Sequence, residues 1–375
     1  MRVLMVDAAG FSPPYDYALA KALRARGIRV GLVQPRETAS LWANPDALPP
    51  VTGTRFRSMK RLEKGLRHVI GMQQLFARVR REKPDVVHFQ WLPLPTVDHV
   101  LLHRLKGMVP LVFTMHNTSL FHGAASSGVQ GWQADSSYAL FCRVVVHSQY
   151  GRDSALRAGR ATERQLVCIP HGAFAHYAEL CAPAGADRAG PCTFVFAGSI
   201  KPYKGLDVLV RAFDALVSRC PAVNVRLIIA GSPGMDVSEM RAGVARTAGE
   251  SRIEWRLQHQ SEREMAQLMA HAHAVVLPYR EIDQSGVLLA AVAMHRAVIA
   301  SNIGGFPEII RDGYNGLLVP PDDVSALSAA LERLAQDVHL RLHCEENMQR
   351  LSVGALSWDN VAAQTESMYR SLLKT

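Results

Sequence analysis

The stretch Val275-Val-Leu-Pro278-Tyr-Arg-Glu-Ile-Asp-Gln-Ser285-Gly-Val-Leu-Leu-Ala-Ala-Val-Ala-Met294 decides the fold class, together with Ala297-Val-Ile-Ala-Ser301 and Gly304-Gly-Phe-Pro-Glu308. Val275–Pro278 is an apolar run too short for a helix and closed by a proline, so it reads as a buried strand. Ser285 stands at an N-cap position. The segment after it, Val287–Met294, is apolar on nearly every face and reads as an enclosed helix. A helix that starts where a buried strand ends offers unpaired amides and a positive dipole end to an anion such as a diphosphate. Open α/β sheets bind ligands at that edge.

Working outward, the same alternation runs the length of the chain. Strands are expected at Val3–Asp7, Ile28–Val33, Val86–Gln90, Leu111–Met115, Val144–His147 and Gln165–Ile169. They resume at Thr193–Ala197, Val225–Ala230, Ile253–Arg256 and Ala274–Leu277, with helical segments between. This pattern predicts an α/β chain of two doubly wound, Rossmann-like domains with parallel sheets. The Pro/Gly/Ala-rich residues 182–191 read as the linker, separating a domain at 1–181 from one at 192–357. The first loop, Ala8–Pro14, holds the single glycine Gly10 and no GxGxxG, which weighs against a dinucleotide site.

Composition narrows the classes. The chain has 375 residues and a formal net charge of +9. No apolar run reaches the length that spans a bilayer, and the N-terminus enters a strand without a signal-peptide pattern. Six scattered cysteines form no CxxC pair, and no HExxH occurs, so neither a zinc site nor a disulfide framework is suggested. Glu281-Ile-Asp283 has the carboxylate-x-carboxylate form of a metal site, which neighbouring phosphate-binding amides make unnecessary. A cytoplasmic protein is expected. The charge is uneven: residues 1–180 carry 23 Lys+Arg against 12 Asp+Glu, and the remainder 19 against 21. Leu62, Leu66, Val69 and Ile70 share one helical face, flanked by Lys60, Arg61, Lys64, Arg67 and His68. That is a basic amphipathic helix suited to an anionic membrane surface, or an ordinary solvated helix packed by its stripe. Aromatics are not interleaved with these charges, which disfavours nucleic acid.

Four segments, in order, carry a resemblance: Gly198-Ser-Ile-Lys-Pro-Tyr-Lys-Gly205, Pro278–Ser301, Gly304–Glu308 and Asp312-Gly-Tyr-Asn-Gly-Leu-Leu-Val-Pro320. Their order and spacing resemble the C-terminal half of a GT-B glycosyltransferase, most similar to family 4. The resemblance implies two domains facing across a cleft, with the last helix, 358–375, crossing back to the first. It implies transfer of a hexose from a GDP- or UDP-sugar to a lipid-linked or saccharide acceptor in bacterial surface-polysaccharide biosynthesis. Retention of configuration and independence of metal are part of the same expectation, with no bound cofactor.

Residue by residue, the resemblance implies Lys204, His116, Glu281 and Asp283 as catalytic groups, the two carboxylates near the donor sugar. Gly10, Gly198, Ser199, Lys201, Gly205, Arg256, Leu257, Gln284, Ser285, Gly286 and Val287 are the expected donor-binding set. Asn117, His171 and Gly172 are expected at the acceptor or cleft, and Glu308 orients its loop or begins its helix. An inverting enzyme would instead need a base, for which His116, Asp16 and Asp135 are candidates. Family 4 usually carries arginine where Ser199 stands, and Lys201 is the candidate replacement. The family's paired glutamates fall at Ile282 and Ala290, so donor recognition is altered or activity is absent. The Tyr279-Arg280 and Gln284-Ser285-Gly286 pattern resembles an exopolysaccharide-type subset. A non-catalytic sugar- or partner-binding protein and a nucleotide-sugar epimerase stay open as alternatives.

Overall fold

A computed structural model describes residues 1–34, 57–117, 135–183 and 190–373, apart from 246 and 248, with only the backbone for 57–64 and 67. The proline-bearing stretch Pro35 to Pro50 and residues 184–189 of the expected linker lie outside the described residues. So do the side chains of Lys60, Arg61, Leu62, Lys64 and Arg67.

The chain divides into two compact units, residues 1–171 with 358–375, and residues 172–357. The boundary falls at His171 and Gly172, ahead of the linker expected at 182–191. The reason is local: the short helix His176–Leu180 packs against helices Glu262–His271 and Gly286–Ala293 of the second unit.

The first unit holds β1 (Arg2–Val6), β2 (Arg29–Val33), β3 (Val86–Phe89), β4 (Leu111–Thr114), β5 (Arg143–Val146) and β6 (Leu166–Cys168). They form a parallel sheet in the order β2-β1-β3-β4-β5-β6 among the described residues. Valines and phenylalanines on both faces explain the continuous apolar runs: a parallel sheet covered on each side has no wet face to alternate toward. The terminal helix Trp358–Leu372 belongs to this unit. It places Val361, Ala362, Met368 and Tyr369 in one core with Leu19 and Leu23 of the helix Pro13–Ala25. Arg26 Nε donates to Glu366 Oε2 at 2.7 Å across the same helix pair. The basic helix runs from Arg57 to Glu82, buries Met72, Leu75 and Val79, and leaves Leu66 and Ile70 exposed. Among the described residues, no helix is long and apolar enough to cross a membrane.

The second unit holds β7 (Cys192–Ala197), β8 (Val225–Ala230), β9 (Ile253–Arg256), β10 (Ala274–Leu277), β11 (Ala297–Ser301) and β12 (Gly316–Val319). Their parallel order is β12-β11-β10-β7-β8-β9. The order changes direction between β10 and β7, so the crossovers from these two strands leave toward opposite sides and open a crevice at their carboxyl ends. Helix Gly286–Ala293 is buried from Leu288 to Ala293, as its uniformly apolar sequence predicts.

Candidate active site

The crevice of the second unit is a cavity of about 470 Å3, within the range of small-molecule sites. Each strand end contributes in turn. From the loop after β10 come Tyr279, Ile282, Gln284, Ser285, Gly286 and Val287, and after β7 come Gly198, Ser199, Tyr203 and Lys204. Gly231 and Ser232 follow β8, and His259, Gln260 and Glu262 follow β9. Phe174, Tyr177, Met265 and Ala290 complete the wall.

Two features make the β7–β10 end attractive to an anion. Ser285 caps the helix Gly286–Ala293, its Oγ accepting from Leu288 N at 3.3 Å, so the helix starts at the cavity wall with further amide groups at its first turn. Lys204 is 7% exposed and its amine lies over the Tyr279 ring, 5.3 Å from the centroid. Burial, and then the neighbouring charge of Lys201, push the Lys204 amine down to about 8. It is still mostly charged at pH 7, and a bound anion would restore what burial takes away. Gly198 has φ +91, and a Cβ there would stand 3.1 Å from the Lys204 amine and 3.3 Å from Val287. Glycine therefore lets the amine and the helix start approach one another.

Arg280 fixes this corner. Its Nη2 and Nη1 donate to Asp207 Oδ2 and Oδ1 at 2.8 and 3.0 Å, its Nε to Asp322 at 2.7 Å, and Nη1 also to the Pro202 carbonyl. The turn that carries Lys204 is thereby tied to the loop that carries Ser285. Tyr279 beside it is fully buried.

A second cluster lies at the strand ends of the first unit. Tyr15, 2% exposed, is the hub: its ring sits 4.8 Å from His116, 5.4 Å from His147, 4.8 Å from His171 and 5.3 Å from Trp358. His116 stacks on Trp91 at 5.1 Å, and its Nε2 donates to Gln90 Oε1 at 3.1 Å. Burial, reinforced by His147, His171 and His88, holds His116 well below the usual imidazole range, so it acts as a neutral hydrogen-bonding group. His147 donates from Nδ1 to the Ile169 carbonyl, and burial brings it to about 4. Gln90 Nε2 and His147 Nε2 are buried without a partner among the described residues.

The pattern described as Glycosyltransferase Family 4 matches residues 15–174, and the one described as Glycosyl transferases group 1 matches residues 191–337. A D-inositol 3-phosphate glycosyltransferase of Kribbella flavida is 30% identical over 98% of this chain and 92% of its own. The chain belongs to glycosyltransferase family 4. A phosphatidyl-myo-inositol mannosyltransferase of Mycolicibacterium smegmatis is 28% identical over 77% of this chain and 71% of that one. Several other curated relatives are matched over only about two-fifths of their length. Among solved structures, HepE of Anabaena in complex with UDP and glucose superposes with a TM-score of 0.73 at 17% identity, covering 99% of this chain and all of that one. A glycosyltransferase from Rickettsia africae superposes with a TM-score of 0.74 at 15% identity, over 100% of this chain and 99% of that one. At such identities the likeness is one of fold, that of the GT-B glycosyltransferases.

Within the family frame, Gly198, Ser199, Lys204, Gln284, Ser285, Gly286 and Val287 come together around the cavity. Gly205 does so indirectly, as the left-handed joint between Lys204 and the helix Leu206–Arg219. Lys201 is half-buried outside the lining, beside Gly234, and acts on Lys204 through its charge. Glu281 and Asp283 are not in the wall: Ile282 takes the inward position between them, and Glu281 is exposed. Both family glutamate positions, Ile282 and Ala290, face the cavity with apolar side chains. Arg256 and Leu257 lie outside the lining. Arg256 shares a strand face with Glu254, pairs with it, and borders a separate cavity with Arg226 and His271. Gly10, at φ +65, closes the turn after β1 with its amide on the Asp7 carbonyl. Asn117 is half-buried just past β4, Gly172 is buried where the second unit begins, and Glu308 is exposed outside the wall. Asp16 is buried and raised well above the carboxylate range by burial and by Asp7, while Asp135 pairs with Arg160.

Tyr15, His147, His259, Gln260, Glu262, Phe174 and Tyr177 were not anticipated as site residues. His147, His259 and Gln260 follow strand ends, the position where open sheets bind ligands, and that signal was available. Tyr177 reaches the wall through the packing of the five-residue helix His176–Leu180, and Phe174 from the segment just before it.

Proposed function

We propose that the protein transfers a hexose from a nucleoside-diphosphate sugar to a hydroxyl of a lipid-linked or saccharide acceptor, with retention of configuration. The observation that carries this reading is the pairing of the buried Lys204 amine with the Ser285-capped helix start on one cavity wall. As the bond from the anomeric carbon to the diphosphate breaks, negative charge grows on the leaving oxygen. A cation and fixed amides stabilise that charge without a metal. The acceptor oxygen forms the new bond and its proton passes to the departing phosphate. The first unit holds hydrogen-bonding groups of its own, neutral His116 and the Gln90 amide, which has no partner among the described residues.

The names of the relatives in Kribbella and Mycolicibacterium, which mention inositol phosphate and phosphatidylinositol, support an anionic or lipid-borne acceptor. So does the positive balance of residues 1–180. Bacterial surface-polysaccharide assembly is the setting that the Tyr279 to Gly286 pattern favours. Exposed Leu66 and Ile70 on the basic helix, with Val100, Arg104 and Lys106 exposed on helix Pro95–Lys106, support peripheral contact with an anionic membrane. Flotation with anionic liposomes tests that contact, which fails if Leu66→Asp with Ile70→Asp leaves binding unchanged.

A thermal-shift panel of UDP, GDP, ADP and their sugars tests the donor. Binding stabilises the fold by mass action, so the correct nucleotide raises Tm. The apolar residues at 282 and 290 favour a second reading, a GT-B protein that binds a sugar without turnover. Product formed from any donor in the panel eliminates it.

A further inference from the structure

We infer that Glu262 is the residue that recognises the ribose of the donor nucleotide, accepting hydrogen bonds from its vicinal hydroxyls. The inference rests on the donor reading above and adds to it a residue and a ligand group.

Among the described residues lining the cavity, Glu262 bears the only carboxylate and Lys204 the only ammonium. They stand at different strand ends. Lys204 follows β7 and Glu262 follows β9, with β8 between them. Two strand spacings separate the strands by about 10 Å. A cavity that is cationic at one end and carboxylate-lined further along matches a nucleoside diphosphate, whose charge sits on the diphosphate and whose ribose offers two adjacent hydroxyl donors. A carboxylate has two acceptor oxygens and no proton to give, which fits it to a pair of neighbouring hydroxyls.

Glu262 is held for this task. His176 Nε2 lies 3.0 Å from its Oε2. Hydrogen bonds from His176 and Tyr177 keep the carboxyl below its usual range, against partial burial. Both partners come from the short helix His176–Leu180, which packs against Glu262–His271. Glu262 is also free of capping duty. It is the first residue of its helix, and the capping box is closed by Ser261 and Glu264. Its substitution therefore leaves the helix start intact.

The test is isothermal titration of the whole protein with the nucleoside diphosphate that raises Tm most, with its 2′-deoxy and 3′-deoxy forms, and with the corresponding nucleotide sugar. Glu262→Gln is expected to weaken the ribonucleotide about 10-fold, and deoxygenation to weaken it similarly in the wild type. In Glu262→Gln, deoxygenation costs little further, because the partner is already gone. Equal loss for ribo and deoxy forms, or no loss at all, overturns the assignment while leaving the donor reading standing. A loss seen only with the nucleotide sugar assigns Glu262 to the sugar and also overturns it. A wild-type protein that binds no nucleoside diphosphate overturns both. Should Glu262→Gln unfold, Glu262→Asp gives the same comparison with a shortened reach.

Discussion

Arg280 grips Asp207 with both terminal nitrogens, at 2.8 and 3.0 Å, and so joins the loop after β10 to the helix that begins two residues beyond Lys204. Both side chains are about a third exposed, so the pair adds little stability, below about 1 kcal/mol. Its value is geometric. Arg280→Lys keeps the charge but loses the planar fork and the simultaneous reach to Asp322 and the Pro202 carbonyl. We expect kcat/KM to fall roughly 10- to 100-fold with Tm nearly unchanged. Asp207→Asn should do the same, and the double variant should be no worse than either single one. Steady-state kinetics beside thermal denaturation of the three variants checks this.

Lys204 sets stability against activity. Its amine is held near 8 by burial, below the ordinary 10.5, so the unfolded chain binds the proton more tightly than the fold does. That cost is present at neutral pH and disappears as pH rises from about 8 toward 10.5. Lys204→Met keeps the aliphatic stem against Tyr279 and removes the charge. We expect it to stabilise the fold, by on the order of 3 kcal/mol at pH 7, and to lower turnover at least about 100-fold. In the wild type, kcat/KM should decline above pH 8, as the free protein loses the ammonium. Denaturant titration and a pH–rate profile measure the two effects.

The legible part of this molecule is what short-range chemistry writes. Each parallel strand is a buried apolar run, and Ser285 before an all-apolar helix announces the cap that the structure shows. Strand order is not written locally, because β7 lies between β8 and β10 only through the packing of crossovers. The same limit hid Glu262. Its sequence context is an ordinary capped helix, and it meets the cavity because β9 is the edge strand. The expectation for Arg256 missed a period-two effect: Glu254 sits on the same strand face and takes its guanidinium. Glu281 and Asp283 flank an inward-facing Ile282, so the one position that reaches the wall is apolar.

Acid should loosen the first unit before the second. His88 and His147 are held at about 3 and about 4 by burial, below the ordinary 6.5. Above pH 6.5 both are neutral in either state and cost nothing. As pH falls from 6.5 toward 4 the unfolded chain takes up protons that the fold refuses, and stability is lost. His147→Asn can still donate to the Ile169 carbonyl and has no such proton to gain. Its stability should fall less than that of the wild type across pH 6.5 to 4. Tm measured at half-unit intervals checks this, and parallel curves would refute it.

Gly205 is a joint that tolerates no side chain. Its φ is +65, and a Cβ would stand 2.0 Å from the Pro278 carbonyl oxygen, backbone that cannot swing aside. Gly313 has nearly the same conformation, φ +70, and a Cβ there would meet nothing within 4 Å among the described residues. The two glycines therefore separate strain from collision. Gly313→Ala should cost about 1 kcal/mol, the conformational penalty alone. Gly205→Ala should cost roughly 3 kcal/mol or more, because the strand end at Pro278 must move. Lys204 is the preceding residue, so that movement carries the amine away from the capped helix start. Gly205→Ala should thus lose donor affinity even at temperatures where it stays folded, whereas Gly313→Ala should keep it. Denaturant unfolding and nucleotide titration of both variants decide the matter.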